Sequence, residues 1–292
     1  MSPQISQARH ELLCGKYSLQ LGKKTHVVGI LNLTPDSFSD GGVYFKDIGK
    51  ALARIEEMAQ DGAHIVDIGG ESTRPGSRGI SADEELDRVI PVIKEASKRI
   101  DIPISIDTSK SEVAEAAIIS GASLINDVTG LRSDPRMARV AAESGAGVII
   151  MHMKGEPRTM QENPTYCDLM REILSSLRES IDIAADAGVA HDRIVVDPGI
   201  GFGKTVEHNL AILNRLSELK VLDKPIMVGV SRKSFIGSVL NKPASARLMG
   251  TVSACAIAIA NGASLVRVHD TRELVDAAKI ADAIKGEGDR LS

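Results

Sequence analysis

The sequence predicts an α/β chain that folds as a single (β/α)8 barrel. Three observations predict this fold: eight continuous apolar runs, amphipathic helical segments between them, and a repeated junction between the two. The runs show no alternation of polar residues, which is typical of parallel strands buried on both faces. They lie at 26–33, 63–70, 103–109, 124–130, 147–153, 194–200, 225–232 and 265–270.

The repeated junction is a helical segment that ends in glycine, followed by an apolar run and then a polar residue. Copies include AQDGAHIVDIGG, IISGASLINDVTG and IANGASLVRVHD. Glycine ends a helix readily because it adopts positive φ without a Cβ clash. We expect helix ends at Gly62, Gly121, Gly145, Gly188 and Gly262, and helices that include 48–59, 84–99, 166–187 and 208–219.

An open, doubly wound sheet would show the same alternation of strands and helices. That fold usually carries a Gly-rich phosphate fingerprint after its first strand, and no G-x-G-x-x-G follows residues 26–33. Eight strands therefore favour a barrel over residues 26–285. Residues 1–25 form an extension in which YSLQLGKK alternates like a short hairpin and is expected to plug the barrel floor, and 286–292 form a tail.

Composition and charge exclude several classes of protein. The net charge of −4 is small for 292 residues and no basic stripe occurs, so nucleic acid is a poor partner. The apolar runs are too short to cross a bilayer and no signal peptide is evident, which predicts a cytoplasmic protein. Cys14, Cys167 and Cys255 lie far apart without metal-ligand spacing, so neither a disulfide framework nor a thiolate metal site is expected.

Polar residues occur where the predicted strands end. In a barrel of this kind, side chains at the carboxyl ends of the strands meet at one mouth and form the site. Asp67 could equally cap a helix, and His152 is more simply a barrel-lining histidine with a satisfied hydrogen bond. The strand-end residues are Asn32, Asp67, Asp107, Asn126, His152, Asp197, Ser231 to Lys233, Arg267 and His269.

Asp107, Asn126 and Asp197 together indicate a ligand with several donors and acceptors, because buried carboxylates and amides are costly without partners. A flat heterocycle with an amino-imine edge, such as a pteridine or a guanine-like ring, fits this set, and Lys233 adds a cationic donor. Arg267 and His269 alternate with valines on the last strand, so both face the same side and favour an anion.

Two loops rich in Gly, Pro, Ser and Asp follow the first and second strands. They are LTPDSFSDGG and GGESTRPGSRG, and they carry Asp36, Phe38, Asp40, Thr73 and Arg74. Because both lie at the predicted mouth, we interpret them as lids that close over substrate and exclude water.

The strings GILNLTPDSFSDGG, DIGGESTRPGS, SIDTSK, INDVTG, DPGIGFGK, GVSRKSFIG and VRVHD, in this order, resemble the dihydropteroate synthase family of pterin-binding enzymes. The resemblance extends from Val27 to Asp270. It implies a cytoplasmic, homodimeric transferase of folate biosynthesis, a sulfonamide target, that joins 6-hydroxymethyl-7,8-dihydropterin pyrophosphate to p-aminobenzoate with the help of Mg²⁺.

The resemblance also implies roles for individual residues. Asn32 would contact Mg²⁺ and pyrophosphate, Arg267 and His269 would bind pyrophosphate, and Asp40 would lie near the reacting carbon. The pterin would contact Thr73, Asp107, Asn126, Met151, Asp197, Phe202 and Lys233, and the p-aminobenzoate pocket would contain Phe38, Arg74, Pro75 and Ser234.

Two other functions stay open at this point. A pterin-binding methyltransferase that acts with a corrinoid protein uses a similar barrel, but has no use for SRKSF, TPDSFSDGG or the Arg267 and His269 pair. A catalytically silent paralogue that binds a pterin or a partner protein would keep all of these residues.

Overall fold

The computed structural model describes residues 10–35, 44, 47–74, 76–77, 79–156 and 158–291. Within them, eight parallel strands alternate with helices around a central barrel, preceded by an antiparallel pair of strands. The antiparallel strands are β1 (His10–Cys14) and β2 (Tyr17–Leu21). The barrel strands are β3 (His26–Asn32), β4 (Ile65–Gly69), β5 (Ile104–Asp107), β6 (Leu124–Asp127), β7 (Gly147–Met151), β8 (Ile194–Asp197), β9 (Met227–Val228) and β10 (Leu265–Val268).

Helices cover the outside of this sheet. They are α1 (Ile48–Gln60), α2 (Ala82–Ala96), α3 (Ser111–Ile119), α4 (Met137–Ser144), α5 (Leu169–Asp186), α6 (Val206–Asn214), α7 (Ser234–Leu240), α8 (Leu248–Ala260) and α9 (Thr271–Leu291), with 3₁₀ turns at His191–Arg193, Leu216–Leu222 and Ala244–Ala246. Several begin at caps that the sequence supplies: the Ser81 hydroxyl accepts the Glu84 N–H, and Thr205 forms a reciprocal cap with His208. The five glycines expected to end helices all have positive φ, from 67° to 115°.

The strand order is β8, β7, β6, β5, β4, β3, β10, β9, every neighbour parallel. An isolated parallel bridge between Val196 and Ile226 joins the two ends, so the barrel is nearly closed. The predicted (β/α)8 fold is thus confirmed. The main core lies between sheet and helices, where residues such as Ile55, Val66 and Ile93 have no solvent exposure.

The antiparallel hairpin lies under the barrel, as predicted. Leu12, Cys14 and Leu21 form a separate buried cluster with inward residues of the barrel strands, among them Leu124 and Ile149. The alternation of buried and exposed residues in β1 and β2 leaves one face for this contact and the other for solvent. Apolar side chains therefore close the amino end of the barrel.

Three boundaries differ from the prediction. The helix expected over 208–219 ends at Asn214, because the Asn261 side-chain amide donates to the carbonyls of Leu213 and Asn214 and a 3₁₀ turn follows. The strand expected over 225–232 has only Met227–Val228 in regular pairing. The stretch 286–291, predicted as a tail, continues α9, since no proline follows Thr271 to stop the helix.

The three cysteines are free, as expected, with Cys14 and Cys255 buried and Cys167 exposed. None of the helices in the described ranges is both long and apolar enough to cross a bilayer.

Candidate active site

Strand register brings the predicted polar residues to one end of the barrel. Asp107 on β5 pairs with Asn126 on β6, and Met151 on β7 pairs with Asp197 on β8. All four side chains are buried. The convergence predicted for the carboxyl ends of the strands is therefore present in the structure.

Arg267 bridges two carboxylates inside this mouth. Its Nε–H donates to Asp67 Oδ2 at 2.6 Å, and its Nη2–H donates to Asp107 Oδ2 at 2.6 Å. The amide of Asn126 donates to the same Asp67 oxygen at 3.2 Å. The helix-cap interpretation of Asp67 is wrong, because α2 is capped by Ser81 and Asp67 lies in the barrel with no solvent exposure.

Each of these carboxylates keeps one buried oxygen without a partner. Asp67 Oδ1 and Asp107 Oδ1 are inaccessible to solvent and accept no hydrogen bond from the described residues. Burial raises the pKa of Asp107 even though Arg267 opposes the shift. An unpartnered acceptor of this kind costs about 1–3 kcal/mol, so a ligand that donates to Asp107 would recover stabilisation that the fold alone does not supply.

Asp197, Lys233 and Phe202 form the opposite wall. Asp197 Oδ1 accepts the Gly199 N–H at 2.6 Å, while Lys233 Nζ donates to the Ile200 carbonyl and lies 4.7 Å from the centre of the Phe202 ring. Burial raises the pKa of Asp197 and lowers that of Lys233 to about 8. Lys233 is thus a donor that loses its charge more easily than a solvated lysine.

Glycine is required where the loop after β8 approaches the barrel. At Gly199, with φ 69°, a Cβ atom would lie 1.9 Å from the His152 carbonyl oxygen, and at Gly203 it would lie 2.2 Å from the Lys154 carbonyl oxygen. These close approaches hold Phe202 against the mouth of the barrel. Gly201 packs against the Lys233 side chain in the same loop.

His269 lies at the rim beside Ser231. Ser231 Oγ accepts the His269 backbone N–H at 3.2 Å and lies 2.9 Å from the ring Nδ1. The contact between Oγ and Nδ1 leaves Nε2 as the ring nitrogen without a partner among the described residues. Burial, followed by the charges of Arg267, Arg232 and Arg74, lowers the pKa of His269 to about 3, so the ring is neutral at pH 7.

Two further cationic residues support this wall; Arg232 belongs to the predicted strand-end stretch Ser231 to Lys233, and Lys204 was not predicted as a site residue. Arg232, with φ 56°, forms a two-point ion pair with Asp270 and lies between Ser231 and Lys233. Lys204 is buried, with Nζ 2.9 Å from His152 Nδ1 and donating to the Phe202 carbonyl at 3.0 Å. Burial and the charge of Lys204 lower the pKa of His152 to about 2, and the ring is buried with a hydrogen-bond partner, as expected for a barrel-lining histidine.

The remaining predicted residues lie in different settings. Thr73 and Arg74 are half-buried in the segment after β4, and Ser234 is exposed at the start of α7. Asp36, Phe38, Asp40 and Pro75 lie outside the described residues.

Asn32 ends β3 and is the predicted Mg²⁺ contact. Its Oδ1 and the Asp107 side chain both lie within 4 Å of the position that a Cβ on Gly69 would occupy. No cluster of three or more His, Cys, Asp or Glu side chains in the described ranges could hold a metal ion. A single amide oxygen suits Mg²⁺ that is bound mainly through substrate phosphates and water, so Asn32 fits a substrate-borne ion.

Comparison with known proteins decides the family. The model of the "Pterin binding enzyme" family matches residues 28–269, which is most of the chain. The chain belongs to the dihydropteroate synthase family of pterin-binding enzymes. A dihydropteroate synthase of Synechocystis is 47% identical over 271 residues, covering 92% of this chain and 93% of that protein. The family resemblance inferred from the sequence motifs is thereby confirmed.

Solved dihydropteroate synthases share this fold over nearly their whole length. The Yersinia pestis enzyme, in complex with a sulfonamide drug, superposes with a TM-score of 0.91 at 42% identity and covers 95% of this chain and 99% of its own. The Clostridium difficile enzyme, in the presence of pteroic acid, gives 0.84 at 48% identity, with 90% and 98% covered. Both structures are more than 40% identical to this chain and cover at least 90% of it, so their sites as well as their folds can be compared with it.

Proposed function

We propose that the protein is a dihydropteroate synthase, which joins 6-hydroxymethyl-7,8-dihydropterin pyrophosphate to p-aminobenzoate and releases pyrophosphate. The observation that carries the proposal is the buried, unpartnered Asp107 oxygen beside Asn126 at the barrel mouth. Membership of the family and the Clostridium difficile structure with pteroic acid, a pterin linked to p-aminobenzoate, support it.

The deep part of the mouth would hold the pterin. Asp107 accepts from the amino-imine edge, Asn126 and Lys233 supply donors, and Asp197 completes the polar contacts. Met151 and Phe202 contact the faces of the ring, and Thr73 contacts the bound pterin ester. The orphaned acceptors that lower the stability of the free protein thus become hydrogen-bond partners in the complex.

The reaction breaks the C–O bond of the pyrophosphate ester and forms a C–N bond. Pyrophosphate leaves with the bonding electrons, and the arylamine nitrogen attacks the methylene carbon and then loses a proton. Arg267, which keeps Nη1 without a partner among the described residues, and the Nε2–H of His269 would donate to the departing oxygens. Asp107, Asp197 and Asp40 would stabilise positive charge that develops on the pterin.

Asn32 would hold a Mg²⁺ ion carried in by the pyrophosphate, and such an ion neutralises phosphate charge when bound. Phe38, Arg74, Pro75 and Ser234 would form the p-aminobenzoate pocket. Sulfonamides, which resemble p-aminobenzoate, would compete there, as the drug complex of the Yersinia pestis enzyme suggests.

A homodimer in the cytoplasm is the expected state. Apolar side chains on α8 and α9 are exposed, with 69% of Met249, 53% of Ile257 and 64% of Ile280 accessible to solvent. Exposed apolar area of this kind favours association. Sedimentation of the wild-type chain and of Ile257→Glu tests this surface, and a wild-type monomer at micromolar concentration would contradict it.

The test of function is pyrophosphate release from the pterin ester, measured with and without p-aminobenzoate. A synthase releases pyrophosphate and forms dihydropteroate only with both substrates. Binding of the ester without any turnover would indicate a silent paralogue. Methyl transfer from a folate to a corrinoid protein would indicate a methyltransferase instead.

A further inference from the structure

Lys110 joins three elements behind the site and has no role in the chemistry proposed above. It lies three residues after Asp107, at the start of α3, and its Nζ donates to Glu71 and, at 2.6 Å, to Glu85. Glu71 lies two residues after the end of β4, and Glu85 lies in the first turn of α2 without solvent exposure. One cation therefore connects β4, α2 and α3.

Glu71 also closes the base of the segment that follows β4. Its Oε2 accepts from Lys110, while its Oε1 lies 3.3 Å from the Ile80 backbone nitrogen and accepts that N–H. The first and last residues of the segment Glu71–Ile80 are thereby held together.

Ser77 contacts two described residues of this segment, Ser72 and Arg74. Its hydroxyl lies 2.6 Å from the Ser72 carbonyl oxygen and 2.7 Å from the Arg74 carbonyl oxygen, and its backbone N–H donates to Arg74 at 3.1 Å. The position of Arg74 is thus fixed relative to the base of the segment. Arg74 lies close enough to His269 for its charge to help lower the pKa of that ring.

The start of the segment is clamped from the other side by α2. Arg88 Nη1 donates to the Gly70 carbonyl oxygen at 2.7 Å, and a Cβ atom on Gly70 would lie 2.7 Å from Val89. This packing leaves little room for the segment to shift at its β4 end. At its far end the Ile80 N–H donates to Glu71, whose other carboxylate oxygen accepts from Lys110.

We propose that Lys110 is a positioning residue that sets the second substrate's pocket through Glu71, without contacting either substrate. The inference rests on the proposed function, because the segment carries Thr73 and Arg74. Without Lys110, Glu71 is released, the base of the segment opens, and Arg74 moves relative to the p-aminobenzoate position. The strand-end residues that hold the pterin keep their places.

The test is steady-state kinetics of Lys110→Met and Glu71→Ala, with each substrate varied in turn. Both variants should raise KM for p-aminobenzoate about tenfold or more, with a smaller rise in KM for the pterin ester, which loses only the Thr73 contact, and with kcat changed less than about twofold. Glu71→Ala keeps the buried ion pair of Lys110 and Glu85. A raised KM in this variant therefore reports the lost position of the segment rather than a destabilised fold. Lys110→Arg should restore most of the p-aminobenzoate KM, because a guanidinium can bridge the same two carboxylates.

The matched control is Lys98→Met, which removes an exposed ion pair with Glu95 near the end of α2 and should behave as wild type. Wild-type KM for p-aminobenzoate in both Lys110→Met and Glu71→Ala would overturn the inference. So would an equal rise in both KM values, since that would indicate damage to the whole site. A wild-type chain that forms no dihydropteroate would contradict the proposed function itself, and this outcome can be told apart from a failure of the proposal for Lys110.

Discussion

Apolar side chains close the barrel at the amino ends of its strands, whereas charged side chains line it at the carboxyl ends. Leu12, Cys14 and Leu21 of the hairpin fill the floor and are almost inaccessible to solvent. At the mouth, Arg267 is shared between Asp67 and Asp107, and each carboxylate keeps an unpartnered oxygen. Floor side chains stabilise the free protein by apolar burial, whereas the mouth keeps buried acceptors that the described residues leave without partners.

The largest effect should come from removing the pterin acceptor. Asp107→Ala is expected to lower kcat/KM at least about 100-fold, because a site built for a hydrogen bond loses discrimination when the acceptor is removed. Arg267 stays paired with Asp67, so the fold should persist. Ser105→Ala, two residues earlier and also buried, is the matched control and should retain activity. Similar losses in both variants would show that the effect is one of packing.

Arg267→Ala should lower kcat at saturating substrate by about 100-fold, through lost stabilisation of the leaving pyrophosphate. It should also lower the free energy of unfolding by about 3–5 kcal/mol, since Asp67 and Asp107 would be left buried without their cation. Kinetics and urea unfolding measure the two effects separately. Arg272→Ala, which removes an arginine that is 72% exposed and paired with Asp61, controls for loss of an arginine. Unchanged turnover would contradict the role of Arg267.

A substitution in the floor of the barrel should lower stability without changing substrate binding. Leu12→Ala is expected to lower the free energy of unfolding by about 2–5 kcal/mol, because Leu12 is fully buried beneath the barrel. Both KM values should stay at the wild-type level. Leu13→Ala, on the more exposed face of β1, should cost less. A changed KM in Leu12→Ala would mean that floor and mouth are not independent.

The smallest predicted effect is a pH dependence at the amino ends of the strands. His26 and His64 lie with ring centres 4.5 Å apart, and burial lowers the pKa of each to about 4. Both bind protons more readily when unfolded, where the pKa is about 6.5, so their contribution to stability is present above that value and is lost as pH falls from 6.5 toward 4. For the buried His26 this is about 2 kcal/mol between pH 7.5 and 5.

Urea unfolding at these two pH values measures that loss, and His26→Gln should reduce it by part of this amount. Equal pH slopes for the wild type and His26→Gln would show that this histidine does not titrate as expected.

The strands and most of the mouth follow from local sequence signals. Apolar runs after glycine gave the strand positions, and the polar residue at each strand end, such as Asp107 or Asp197, gave the site. Contacts between side chains on distant strands cannot be predicted from local sequence, because strand register and barrel closure determine them. Arg267 and Asp67 are 200 residues apart, and nothing near either of them in the sequence indicates that they pair.

The supporting residues were also beyond sequence reasoning. Lys204 and Lys110 occur in motifs used to recognise the family, yet a buried lysine looks the same as a solvated one in sequence. The end of α6 at Asn214 depends on Asn261, which belongs to a different helix connection. The contact between Ser231 and His269 brings together the segments that follow β9 and β10, and so depends on these two strands lying side by side.

The most direct test of the contrast between floor and mouth is calorimetric titration of the pterin pyrophosphate into Asp107→Ala and Leu12→Ala at a temperature where both are folded. The account predicts that Leu12→Ala, although less stable, binds with wild-type affinity, and that Asp107→Ala melts within a few degrees of wild type but shows no detectable binding. Wild-type affinity in Asp107→Ala would contradict the assignment of the mouth as the pterin site.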